Sequence, residues 1–131
     1  MRDFFNKIEV LPGLFANGQL TLGENMADHG GLQVAFQAFQ NAKAAAPEAS
    51  AEETSASRFT PEQRFFLAYA GVWAGNIRDE EIRNRTKSDP HALGRWRVNG
   101  ALPHIDAWYE AFGITESDPM FVPKAERVTI W

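Results

Sequence analysis

The stretch that most constrains this chain begins at Leu20-Thr21-Leu22-Gly23-Glu24 and continues into an apolar repeat. Leu22, Met26, Val34, Ala35, Ala38 and Phe39 recur at helical spacing, so a helix is expected from Thr21 to about residue 44, with those residues as its inner face. Gly30 and Gly31 interrupt it, at roughly 1 kcal/mol each in helix propensity. A helix that tolerates both implies that close packing outweighs propensity. Gly31 and Ala35 are small enough for another helix to approach. Glu24 and Asp28 lie one helical turn apart and share a face, where like charges repel by about 0.2–0.5 kcal/mol. A cation or a hydrogen-bonded ligand could outweigh that repulsion. On the residues alone a second reading stands beside this one. Thr21-x-x-Glu24 is also a capping box, with Thr21 as N-cap and Glu24 reaching back to its amide.

The rest of the chain reads as further short helices. Phe4, Phe5, Ile8 and Val10 make a short amphipathic piece, which Leu11-Pro12-Gly13 breaks, and Asn17-Gly18 marks a turn. Residues 42–58 are rich in Ala, Ser and Glu, hold no large apolar side chain and are expected to form a flexible surface loop. Thr60-Pro61-Glu62-Gln63 is a strong helix start: an N-cap, proline at the first helical position and glutamine closing the box. Phe65, Phe66, Ala68, Tyr69, Val72 and Trp73 follow as a core stripe, and Gly75 ends it. Asp79 is expected to cap a polar helix from Glu80 to about Lys87. Trp96 to Val98 reads as a short strand that ends at the Asn99-Gly100 turn. Pro103 opens a last helix through Ile105, Trp108 and Phe112, with Gly113 past its end. The tail closes on Val128-Thr129-Ile130-Trp131, and a terminal aromatic implies a packed end. The fold class is therefore mainly α, with three to four helices and at most a small β element, near residues 95–102 and at the tail.

Composition narrows the function. With 131 residues the chain can build one domain around a modest core. A net charge of −4 argues against nucleic acid as a partner, so the basic run Arg83, Arg85, Lys87, Arg95, Arg97 reads as a solvated face. The absence of cysteine excludes disulfides and thiolate metal sites. No stretch approaches the roughly 18–20 apolar residues of a membrane helix. The first residues lack the apolar core of a signal peptide. A second chemical cluster lies in Asp89-Pro90-His91 and Arg97. Taken alone, His91 could brace its loop and Arg97 could pair with an acidic neighbour.

Two motifs together carry a resemblance. Gly23-Glu24-Asn25-Met26-Ala27-Asp28-x-Gly30-Gly31-Leu32 resembles the Glu-Asn-Ile-Ala-Asp segment of the neprilysin/endothelin-converting-enzyme family of zinc metalloendopeptidases. Lys87-x-Asp89-Pro90-His91-x-x-Gly94-x-x-Arg97-Val98-Asn99-Gly100 resembles that family's downstream active-site loop. Thr60-Pro-Glu-Gln-Arg-Phe-Phe-Leu, Val72-Trp73 and the terminal Trp131 agree in the same order, so the likeness covers most of residues 17–131. It departs at His29, where the family usually has an apolar residue, and His104 lies outside its motifs.

The resemblance implies the C-terminal part of a metalloprotease catalytic domain that takes peptide substrates. Glu24 would be a zinc ligand and Asp28 would orient a zinc-bound histidine. His91 would donate to the oxyanion, with Asp89 supporting it. Arg97 would hold the carbonyl just after the scissile bond. A catalytic zinc of this type takes two His and one Glu. The family draws its two histidines and its general base from a His-Glu-x-x-His helix. This sequence holds only His29, His91 and His104, none four residues from another. The chain is thus expected to need a separate His-Glu-x-x-His segment as a partner, and to bind zinc weakly or not at all alone. The competing reading is a non-catalytic helical interaction module derived from a truncated metallopeptidase. In either case an isolated chain, its Gly31 and Ala35 face without a partner helix, is expected to expose apolar surface through which it could form a homodimer. The lack of cysteine fits bacterial members, with a periplasmic or extracellular parent enzyme.

Overall fold

The computed structural model describes residues 1–46 and 58–130. Among these the order is α1 (Arg2–Phe5), β1 (Glu9–Leu11), β2 (Leu14–Phe15), α2 (Leu22–Ala45), α3 (Pro61–Val72), α4 (Asp79–Ser88), α5 (Gly94–Asn99), a 3-10 turn (Leu102–His104), α6 (Asp106–Phe112) and a final 3-10 turn (Lys124–Glu126). The protein is mainly α. Helices α2, α3, α4 and α6 are the ones the sequence announces, and α1 and α5 are short additions.

The core forms where α2, α3, α5 and α6 meet. Leu32, Phe66, Val98, Leu102, Ile105, Trp108 and Tyr109 are buried together, and Phe36, Phe65 and Phe112 pack against them. Phe36 stacks on Phe66 at 5.1 Å, so α2 meets α3 through aromatic faces. Helix α3 starts as its sequence dictates. Thr60 Oγ1 accepts from Gln63 N at 3.2 Å, and Gln63 Oε1 accepts from Thr60 N at 3.0 Å. The same glutamine donates from Nε2 to the Ala111 carbonyl, tying α3 to α6. Lys43 pairs with Glu62 and ties α2 to α3. Helix α6 ends at Gly113, whose φ of +63° is the left-handed cap that glycine adopts freely.

Several local expectations fail for identifiable reasons. Residues 96–98 are helical, because the Leu93 carbonyl accepts from Trp96 N at 2.7 Å and Arg97 N at 3.0 Å. Burying Val98 in the core outweighs its β preference. The only sheet among the described residues is instead an antiparallel hairpin of β1 and β2, turned at Pro12-Gly13. Gly13 has φ +73°, which the position after a turn proline requires. Helix α2 faces inward through Asn25, His29, Gly30 and Leu32, while Val34, Ala35 and Ala38 are exposed. Apolar residues line both sides of that helix, so spacing alone does not choose the buried side. The Thr21–Glu24 capping box does not form. Thr21 Oγ1 donates to the Asn17 carbonyl and accepts from Asn25 Nδ2. Val72 and Ala68 in the stripe on α3 are exposed. Asp79 is the first residue of α4 and makes no cap bond. Residues 42–45 belong to α2 rather than to a loop. Residues 47–57, the rest of that expected loop, and Trp131 lie outside the described residues.

Candidate active site

Helix α2 presents Glu24 and Asp28, one turn apart and both partly buried, beside its buried residues. Opposite them, α4 ends at Asp89, a short loop carries His91, and α5 carries Arg97. Gly94 sits where this loop crosses α3. A Cβ there would lie 2.7 Å from the Trp73 carbonyl oxygen, so a larger residue would push α5 away from the cleft.

The structure brings the five residues named from the sequence together in pairwise contacts: Asp28 with Arg97, and Glu24 and Asp89 with His91. Arg97 donates from Nε to Asp28 Oδ2 and from Nη2 to Asp28 Oδ1, both at 2.6 Å. This two-pronged geometry is the one a guanidinium fork favours. The Arg97 guanidinium also lies 3.9 Å over the Trp73 ring, and Tyr69 Oη donates to the Arg97 carbonyl at 3.0 Å. Glu24 Oε2 stands 3.3 Å from His91 Nε2. On the other side of the imidazole, Asp89 Oδ1 accepts from His91 N at 2.9 Å and lies 2.8 Å from Nδ1.

Charge sets the protonation pattern. The hydrogen bonds from the His91 amide and ring hold the Asp89 carboxyl down at about 2, and Arg85 adds to the effect. Asp89 is therefore an acceptor, and His91 Nδ1 carries the proton. Nε2 is the atom turned towards Glu24. The Asp28 hydrogen bonds raise Arg97 above its ordinary value. Burial, reinforced by the Asp28 charge, pushes the Tyr69 hydroxyl up to about 12, so it stays protonated and donates. Beside this cluster lies a groove of about 670 Å³, lined by Trp73, Ile82, Arg85, His91, Leu93 and Arg97 among others.

The sequence model of Peptidase family M13 matches residues 1–128. The chain belongs to that family. It is 38% identical to human neprilysin over 126 residues, which is 92% of this chain and 16% of neprilysin. It is 37% identical to human membrane metallo-endopeptidase-like 1 over 115 residues, covering 88% of this chain and 14% of that protein. The fold superposes on the Mycobacterium tuberculosis zinc metalloprotease Zmp1, in complex with an inhibitor, with a TM-score of 0.83 at 30% identity. That match covers 99% of this chain and 20% of Zmp1. The chain thus spans about a sixth of the length of these curated relatives.

Membership in the M13 family raises the question of zinc, and the donor set gives a partial answer. Glu24 is held by no helix cap, is partly exposed and faces the cleft. It fits a carboxylate ligand. No group of three or more His, Asp or Glu able to hold a metal occurs among the described residues. Three participants carried no role in the sequence reading. Trp73 and Tyr69 read only as core stripe, because nothing in helical spacing says that a cation lies against one ring. Arg85 read as a solvated charge, although its spacing of four from Asp89 was a usable signal for a helical ion pair.

Proposed function

We propose that this chain forms the C-terminal portion of the catalytic domain of a zinc metalloendopeptidase that hydrolyses short peptides. The observation that carries the reading is the convergence of Glu24, Asp28, Asp89, His91 and Arg97, with Asp28 and Arg97 69 residues apart in sequence. Glu24 would hold the metal through its carboxylate. Bound zinc supplies Lewis acidity and acidifies a coordinated water. The other two ligands and the general base fall to a His-Glu-x-x-His helix outside these residues.

The remaining residues act on the substrate. His91 keeps one ring proton on Asp89, which leaves Nε2–H to donate to the oxyanion as it develops. Arg97 commits two of its five N–H donors to Asp28. The others can reach the carbonyl just after the scissile bond. Asp28 fixes the plane of that fork, and it also lies on the face of α2 from which a zinc-bound histidine could be oriented. One carboxylate does not hold zinc tightly, so the isolated chain should bind it weakly and cleave nothing. A non-catalytic interaction module is the second reading. It is favoured by the exposed apolar strip of Val34, Ala35 and Ala38 on α2.

Co-expressing the chain with an M13 segment that carries His-Glu-x-x-His separates the two. The peptidase reading expects zinc retention and cleavage of a short fluorogenic peptide. Glu24→Gln should then lose zinc, and His91→Ala should keep zinc but lose about 10²–10³-fold in kcat. Cleavage by the 131-residue chain alone, or full kcat in a zinc-loaded His91→Ala assembly, would overturn it. A stable assembly with neither zinc nor cleavage would favour the interaction module.

A further inference from the structure

We propose that Arg85 is a positioning residue for His91, acting through Asp89. This rests on the reading of His91 as an oxyanion donor. Arg85 lies on the last turn of α4 and donates from Nε to Asp89 Oδ2 at 2.7 Å. Its carbonyl also accepts from Asp89 N at 2.9 Å, so backbone and side chain of Asp89 are both tied to the same residue. The two oxygens of Asp89 thereby divide their work. Oδ2 belongs to Arg85, and Oδ1 receives both the amide and the ring of His91.

Without Arg85 the carboxylate could turn about its own axis and exchange its oxygens. The imidazole would lose the contact that fixes its orientation. Orienting partners of this kind commonly matter by about ten- to a hundredfold in activity. Nothing else in α4 accounts for the arginine. That helix fully buries none of its residues, and a solvent-accessible pair at this spacing contributes only about 0.3–0.5 kcal/mol. Arg85 also lines the same groove as His91 and Arg97, so the ordered end of α4 reaches the place where its effect is needed.

The test reads the imidazole directly. The ¹H–¹⁵N shifts of the His91 ring in the 131-residue chain should report an Nδ1–H hydrogen-bonded to Asp89. Arg85→Ala and Arg85→Gln should move those shifts towards a ring no longer bonded to Asp89, and Arg85→Lys should restore part of the wild-type pattern. The far-ultraviolet circular dichroism should stay unchanged. In the co-expressed peptidase, Arg85→Ala should lower kcat about tenfold with KM little altered. It should cause no further loss in a His91→Ala background. Unchanged ring shifts in both Arg85→Ala and Arg85→Gln would overturn the proposal. So would an equal loss of kcat with and without His91. If His91→Ala alone leaves kcat intact, the oxyanion reading fails instead, and the ring shifts still decide what Arg85 does to His91.

Discussion

The cleft and the interior both hold imidazoles, under opposite conditions. In the cleft the His91 side chain is 42% exposed, and carboxylates stand at both ring nitrogens. In the interior His29 and His104 are 0% and 3% exposed, and their rings meet edge to face at 6.2 Å. His29 Nδ1 and His104 Nε2 have no hydrogen-bond partner among the described residues. His104 Nδ1 accepts from Val128 N at 3.3 Å, and Phe4 packs on its ring at 4.6 Å. His91 stands at the surface between two carboxylates. A proton on His104 would meet apolar surroundings, a second imidazole, the N-terminal amine and Arg127, all of which oppose it. One residue type thus serves as a hydrogen-bonding group between two carboxylates in one place and as neutral packing in the other.

The largest way to break that contrast is acid. Burial pushes His104 down to about 4, and burial lowers His29 as well. Both values fall below that of the unfolded chain, so protons bind the unfolded state more readily. The stability from keeping these rings neutral is fully present above about pH 6.5 and is lost as the pH falls towards 4. For His104 alone, a drop from 6.5 to about 4 corresponds to about 3 kcal/mol. Urea midpoints measured either side of that window should show the loss. His104→Gln, which keeps an acceptor for Val128 N and does not titrate, should lose less. An identical acid response in wild type and variant would rule His104 out as its source.

A middle-sized effect distinguishes the Arg97–Asp28 pair from the His91–Glu24 contact. The Arg97 and Asp28 side chains are 13% and 14% exposed, whereas those of His91 and Glu24 are more than 40% exposed. Removing Asp28 leaves a guanidinium against Trp73 without its counter-charge. Asp28→Ala should therefore cost about 2 kcal/mol, read as a lower urea midpoint at unchanged m-value. Glu24→Ala should cost far less. Equal losses at the two positions would show that burial does not separate these pairs.

These differences also mark what could be read from the sequence. The capping box at Thr60 and the glycine cap at Gly113 are local, and both form as written. The family was legible because two separated motifs agreed in order. The strand expected at 96–98 failed because a non-local event, the burial of Val98, decides its backbone. The inward side of α2 failed for the same reason, since His29 and Asn25 are the residues that turn in. The Asp28–Arg97 pair joins residues 69 apart and leaves no local trace. The Arg85–Asp89 pair is local and could have been found. Neither buried histidine could be told from His91 by composition, because burial is set by what packs over it.

The smallest expected stability effect bears most directly on function. The His91–Glu24 contact is long, half exposed and open to salt, so it should contribute about 0–1 kcal/mol. His91→Ala should shift the urea midpoint by no more than about 0.5 kcal/mol equivalent, at low and at high ionic strength alike. A brace for the loop would behave differently. If His91 held Asp89 and the start of α5 in place, its loss would loosen that segment and cost well over 1 kcal/mol. A near-neutral substitution would mean that the orientation of His91, fixed by Asp89 and aimed at Glu24, is not maintained for the sake of folding. The interior pair supplies the control, because substitutions there should move stability while leaving the cleft geometry as it is.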